Sequence, residues 1–143
     1  MRFMMLVKAS KESEAGALPS KELLAAMGQF NEEMAKAGVL IAGEGLQPSS
    51  KGTRVTFSGS KRTFTDGPFA ETKELLAGFW LIDVKSKADA LAWASRVPFT
   101  DGEVVEVRQM FEAADFPAEV FPPAAAARGQ ELRDELQRKA AKR

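Results

Sequence analysis

Phe79–Val84 reads FWLIDV. Five of its six residues are apolar, the run is too short for a helix, and its aromatic and β-branched side chains suit a strand buried on both faces. Phe3–Val7, FMMLV, has the same character. Around these two runs the remaining elements fall into place. Ser20 is a helix N-cap, Leu23, Met27, Phe30 and Met34 recur as one helical stripe, and Gly38 is the C-terminal stop. Val39–Gly45 is a further strand in which Gly43 and Gly45 signal a bulge or a close approach of another group. Thr53–Ser58 and Lys61–Asp66 alternate around Gly59 and Ser60 as a hairpin. After FWLIDV, Ser86 caps a second helix with Asp89 at the capping-box position, and Leu91, Ala92 and Ser95 run along one side before Pro98. Glu103–Phe111 is the last strand, and Ser10–Pro19 is a polar loop. The order β-α-β-β-β-β-α-β is an α+β plan, a ferredoxin-like split β-α-β with an added hairpin. Such a two-layer domain covers one sheet face with helices and leaves the other bare. Strands apolar on both faces need a second cover, and the simplest is the same sheet of a second copy, giving a homodimer.

The domain so defined spans residues 1–112, and residues 113–143 form a C-terminal extension. From Arg128 to Arg143 six basic residues face three acidic ones. Asp134 with Arg138 and Glu135 with Lys139 are favourable i,i+4 pairs, and Leu132 and Leu136 make a narrow apolar stripe. This reads as a solvated, weakly docked helix, with a partner-binding arm as the alternative.

The 143 residues carry 20 basic and 20 acidic side chains, so no net field draws the chain to nucleic acid, and no direct nucleic-acid partner is expected. Polar residues from Lys8 to Glu14 cut the apolar N-terminus short of a signal peptide or a membrane span, which points to the cytoplasm. There is no His, no Cys and no Tyr. Disulfides, thiolate nucleophiles and imidazole bases are thereby excluded, and neither a metal nor a cofactor is expected.

Chemistry then rests on carboxylates, amines and guanidinium groups. The densest cluster is Asp66-Gly67-Pro68-Phe69-Ala70-Glu71-Thr72-Lys73-Glu74, on a surface loop between strands. Asp66 is a candidate acid or base with Lys73 as its cationic neighbour, and Glu71 lies beside them. The competing reading makes Asp66 a side chain that closes its own turn. Glu44 stands between two glycines, open to a ligand or to simple bulge geometry. Glu106 and Arg108 share the face of the last strand turned away from the helices, as a cleft-lining pair or a salt bridge between subunits. Arg54 offers an anion contact or a solvated edge charge. Phe69, Phe79 and Trp80 complete the set as apolar wall of a small-molecule cleft near the loop.

AGVLIAGEGLQP (Ala37–Pro48), TDGPFAETKE (Thr65–Glu74), GFWLIDV (Gly78–Val84) and VEVR (Val105–Arg108) closely resemble the DGPF group of YCII-related proteins. The resemblance runs from about Phe3 to about Phe111, and DGPFAETKE is its most specific part. It implies a ferredoxin-like domain paired through its sheet into a dimeric α+β barrel. Some YCII relatives carry a His with an Asp as an acid–base pair, which this His-free chain cannot reproduce. Relatives of the DGPF type often occur beside extracytoplasmic-function sigma factors, which makes a regulatory partner of that kind the alternative to small-molecule binding.

Overall fold

A computed structural model describes residues 1–142. The chain divides into two compact units, Met1–Met110 and a second from Phe111 onward.

In the first unit, β1 (Arg2–Lys8), β2 (Leu40–Gly45), β5 (Leu76–Asp83) and β6 (Val105–Gln109) form one antiparallel sheet in the order β2-β5-β1-β6. β3 (Thr53–Ser58) and β4 (Lys61–Asp66) pair separately as a two-stranded hairpin. The architecture is α+β and ferredoxin-like, with the hairpin inserted before β5. α2 (Lys21–Lys36) and α3 (Lys87–Ser95) belong to the side of the sheet where Phe3, Met5, Trp80 and Ile82 point. Phe30 and Met34 of α2 and Ala90 of α3 close the core there, and Phe30 meets Trp80 edge to face at 5.5 Å. The indole Nε1 donates to Asn31 Oδ1 at 2.8 Å, so the one polar atom of that ring keeps a partner in the core.

Caps set the helix bounds. Ser20 Oγ accepts from Leu23 N at 3.1 Å, and the chain leaves α2 through Ala37 and Gly38, the latter at φ +73° where a Cβ would be strained. Ser86 Oγ accepts from Asp89 N, but the reciprocal half of the expected box is not made. The inward side of α3 also differs from the expectation. Ala90, Trp93 and Ala94 pack on the core, whereas Leu91, Ala92 and Ser95 are exposed. The bulky Trp93, 6.2 Å from Phe30, fixes the helix rotation, which an alanine-rich segment leaves otherwise undetermined.

Three further corrections are local. The Ser10–Pro19 loop contains one helical turn, α1 (Lys11–Glu14), closed by a reciprocal box between Ser10 and Ser13. β6 is shorter than expected, because Glu103 turns back to accept from Thr100 N at 2.8 Å instead of extending the strand. β5 begins earlier, at Leu76.

Gly43 lies opposite Trp80 in the β2–β5 ladder, and a Cβ on it would stand 2.6 Å from the indole Cδ1. Glycine is required there to seat the ring, and the ladder shifts register between Leu40 and Ala42 just before it.

The second unit holds Phe111, Phe116 and Phe121 in a row of ring contacts and ends in α4 (Pro123–Ala141), none of whose residues is buried. α4 starts earlier than the basic run, since Pro123 at its first turn presets φ. Glu135 pairs with Lys139 at 2.7 Å, whereas Asp134 accepts from Gln130 and not from Arg138. Among the described residues no helix is long and apolar enough to cross a membrane.

Candidate functional site

Alternation along the strands gives the sheet two unlike faces. Strand register arranges the face away from the helices in two rows: Arg108, Met4, Leu81 and Ala42, then Glu106, Leu6, Phe79 and Glu44. Met4, Leu6, Phe79 and Leu81 are half-buried and stand outside the core that the helices close, and theirs is called the open face below. Phe79 and Trp80 are consecutive and therefore point to opposite faces. Trp80, 3% exposed in the helix-side core, lines no cleft with Phe79.

A chain of charges borders this open face. Lys8 Nζ lies 3.5 Å from Glu106 Oε1 and 3.8 Å from Glu74 Oε2, and Arg108 Nε is 3.8 Å from Glu106 Oε2. The Lys8 side chain is only 19% exposed, against 74% for Arg108. Two carboxylates thus compensate the ammonium at distances beyond good hydrogen-bond length, so its N–H donors keep room for another acceptor. Lys8 is absent from the set of residues expected from sequence. Its signal was there: it follows FMMLV in alternation with Met4 and Leu6, on the same face as Glu106.

The Asp66–Glu74 loop is held from a different side. Glu14 accepts from Ser49 N at 3.1 Å and from the Ser49 hydroxyl, and Ser49 Oγ in turn accepts from Phe69 N at 3.1 Å. Gly67 N donates to Gly52 O at 3.0 Å, and a Cβ on Gly67 would fall 1.8 Å from Ser49 O. The Gly67–Pro68 peptide is cis. Arg54 lays its guanidinium over the Phe69 ring at 3.8 Å. Two stretches distant from it in sequence, Glu14 on one side and Ser49, Gly52 and Arg54 on the other, therefore hold Gly67–Phe69, and neither Glu14 nor Ser49 has a local signal that singles it out.

The remaining candidates are separated. Asp66 is exposed and its Oδ1 accepts from Thr53 Oγ1 at 2.8 Å across the last pair of the hairpin ladder. Lys73 and Glu71 are exposed, and no ion pair joins Asp66 to Lys73 among the described residues. Glu44 is exposed beside Phe79 on the open face. Two open depressions on the surface, of about 700 and 320 Å³, are bordered by Val39, Asp83 and Trp93 in one case and by Leu91, Phe99 and Val105 in the other. Neither includes any of the candidate residues.

The signature of the YCII-related domain matches residues 1–114, the whole sheet with both covering helices. The chain belongs to the YCII-related family. An uncharacterised protein of Rhizobium meliloti (strain 1021) is 33% identical over 87 residues, covering 58% of this chain and 70% of its own length. Within this YCII-related domain, the open sheet face with its Glu74–Lys8–Glu106–Arg108 border is the place where apolar surface and charge meet.

Proposed function

We propose that this YCII-related protein is a homodimer closed over the open faces of its two sheets, and that it binds a small molecule at the border of that face beside the Asp66–Glu74 loop. The observation that carries this reading is Lys8: a side chain 19% exposed whose ammonium is set between Glu74 and Glu106, next to the apolar floor of Leu6 and Phe79. Opposite charges at these distances attract, so the two carboxylates fix the position of the ammonium. The ligand that fits is a small molecule with an apolar body and a carbonyl or carboxylate oxygen, which takes the N–H donors that the carboxylates leave. Covering Met4, Leu6, Phe79 and Leu81 gains about 25 cal/mol per Å² of apolar surface, and a two-fold arrangement covers both copies at once. Lys8, Glu74 and Glu106 act as the binding groups, Asp66 closes the hairpin, and Arg54 and Phe69 hold the loop.

The test is a thermal-shift series of small aromatic and aliphatic carboxylates on the wild type and on Lys8→Gln, with mass measured by light scattering. A ligand that raises the wild-type Tm in proportion to its concentration and leaves Lys8→Gln unmoved supports the reading. Equal shifts in both proteins remove Lys8 from the site.

A further inference from the structure

Lys8 N donates to Val104 O at 3.1 Å, and Met110 N donates to Arg2 O at 2.9 Å. Alternation in an antiparallel ladder then turns the N–H and C=O groups of Glu106 and Arg108 toward β1, and those of Val105, Val107 and Gln109 away from the sheet. Among the described residues no strand takes up that outer side. The side chains of Glu106 and Arg108 stand on the open face, and those of Val105 and Val107 on the helix side. There the two valines border the depression of about 320 Å³ between α3 and β6, with Leu91, Ala94 and Phe99 among its other apolar walls. An unpaired edge beside an apolar groove accepts an extended strand whose alternate side chains enter the groove. Such a strand needs a basic residue across from Glu106, an apolar one across from Val107 and an acidic one across from Arg108. Read in the antiparallel direction, β6 itself, VEVRQ, supplies that order.

We infer that β6 pairs edge to edge with β6 of a second copy about a two-fold axis through Val107 and normal to the sheet, so that Glu106 lies opposite the partner's Arg108 and Arg108 opposite the partner's Glu106. Opposed residues share a face, so the register changes only in steps of two residues. One step pairs only Val105–Val107 of the strand and sets Glu106 on Glu106. The step the other way pairs only Val107–Gln109 and sets Arg108 on Arg108, and like charges directly opposite are destabilising. Further steps leave a single terminal residue of the strand paired. The register through Val107 engages all five residues of β6, with every outward backbone group and both charge pairs. Arg108 is fitted to the role, since its side chain is 74% exposed and its ion pair within the chain, to Glu106, is at 3.8 Å. The contact uses up the β6 edge of both copies, closes at two, and does not depend on the pairing of open faces proposed above.

Single cysteines read this register, because the chain has none of its own. Opposed Cα atoms of a hydrogen-bonded pair stand about 5.5 Å apart, within disulfide reach, so Val107→Cys should join two copies under mild oxidation. Val105→Cys, on the same strand and the same face, should not, since its counterpart lies about 14 Å away along the partner strand. Mixed with Gln109→Cys, it should form a mixed disulfide dimer. In the Val107→Cys background, Arg108→Glu should slow joining by about tenfold or more with the circular dichroism spectrum unchanged. Mixing that protein with the Glu106→Arg form of the same background should restore the rate, because both contacts across the axis then join opposite charges. Val107→Cys joining no faster than Val105→Cys would overturn the edge contact, as would a rate indifferent to Arg108→Glu. Pairing through the open faces keeps the two Val107 side chains apart, on the helix-covered sides of the two sheets. A dimer seen by light scattering without the Val107→Cys crosslink would therefore overturn this inference and leave the proposed dimer standing.

Discussion

The two faces of the four-stranded sheet are made by alternate residues of the same strands, yet they are built to different rules. Phe3, Met5, Trp80 and Ile82 are at most 3% exposed, under helices that were fitted to them, with Gly43 cut back to admit an indole and Asn31 placed to receive its N–H. Met4, Leu6, Phe79 and Leu81 are their immediate neighbours in sequence and remain half-buried, mixed with Lys8, Glu44, Glu106 and Arg108. The covered face is a finished core. The open face has the apolar content of a core and the charge of a surface, the combination found where a protein surface is reserved for a partner or a ligand.

Substitutions on neighbouring residues separate the two faces. Ile82→Ala empties fully buried volume and should cost about 2–5 kcal/mol in urea denaturation, whereas Leu81→Ala should cost the isolated protomer about 1 kcal/mol or less. Equal losses at both positions would show that the open face is covered within the protomer itself. Next in size is Gly43→Ala, where the new Cβ must displace the Trp80 ring at a cost of about 1–3 kcal/mol and with an altered tryptophan emission. Gly45→Ala is its control, because the nearest atom to that Cβ is a backbone oxygen at 4.0 Å, and its stability should hold or rise slightly. The smallest of the losses expected around the covered face is that of Asn31→Ala, about 1–2 kcal/mol, from the indole N–H left in the core without its acceptor. An unchanged midpoint would mean that water reaches that nitrogen.

What the sequence made legible was whatever short-range chemistry controls. The hairpin strands run Thr53–Ser58 and Lys61–Asp66 as read, since alternation and a tight turn at Gly59, φ +57°, fix them locally. Ser20 and Gly38 bound α2 for the same reason. The one-turn α1 was hidden because its box is closed by Ser13 instead of the usual Glu or Gln. Glu14 and Ser49, 35 residues apart, became visible as the holders of the loop only when the chain had folded. The grouping of Phe79 with Trp80 was a different kind of miss. Strand alternation already forbids consecutive residues from sharing a cleft, so the signal was present and the apolar character of both rings concealed it. Charge clustering in the Asp66–Glu74 segment likewise drew attention to Asp66 and Lys73, whereas three-dimensional proximity brings in Glu74, through its contact with Lys8.

Among the described residues the sheet also ends at two edges, since β2 pairs only with β5 and β6 only with β1. An unpaired strand edge is a template for adding further chains without limit. Here β2 carries a register shift and two glycines, while β6 spans five residues and includes Glu106 and Arg108. Irregular backbone on one side and a short, charged strand on the other discourage endless ladder growth, so that a molecule with an apolar sheet face avoids becoming the seed of a fibre.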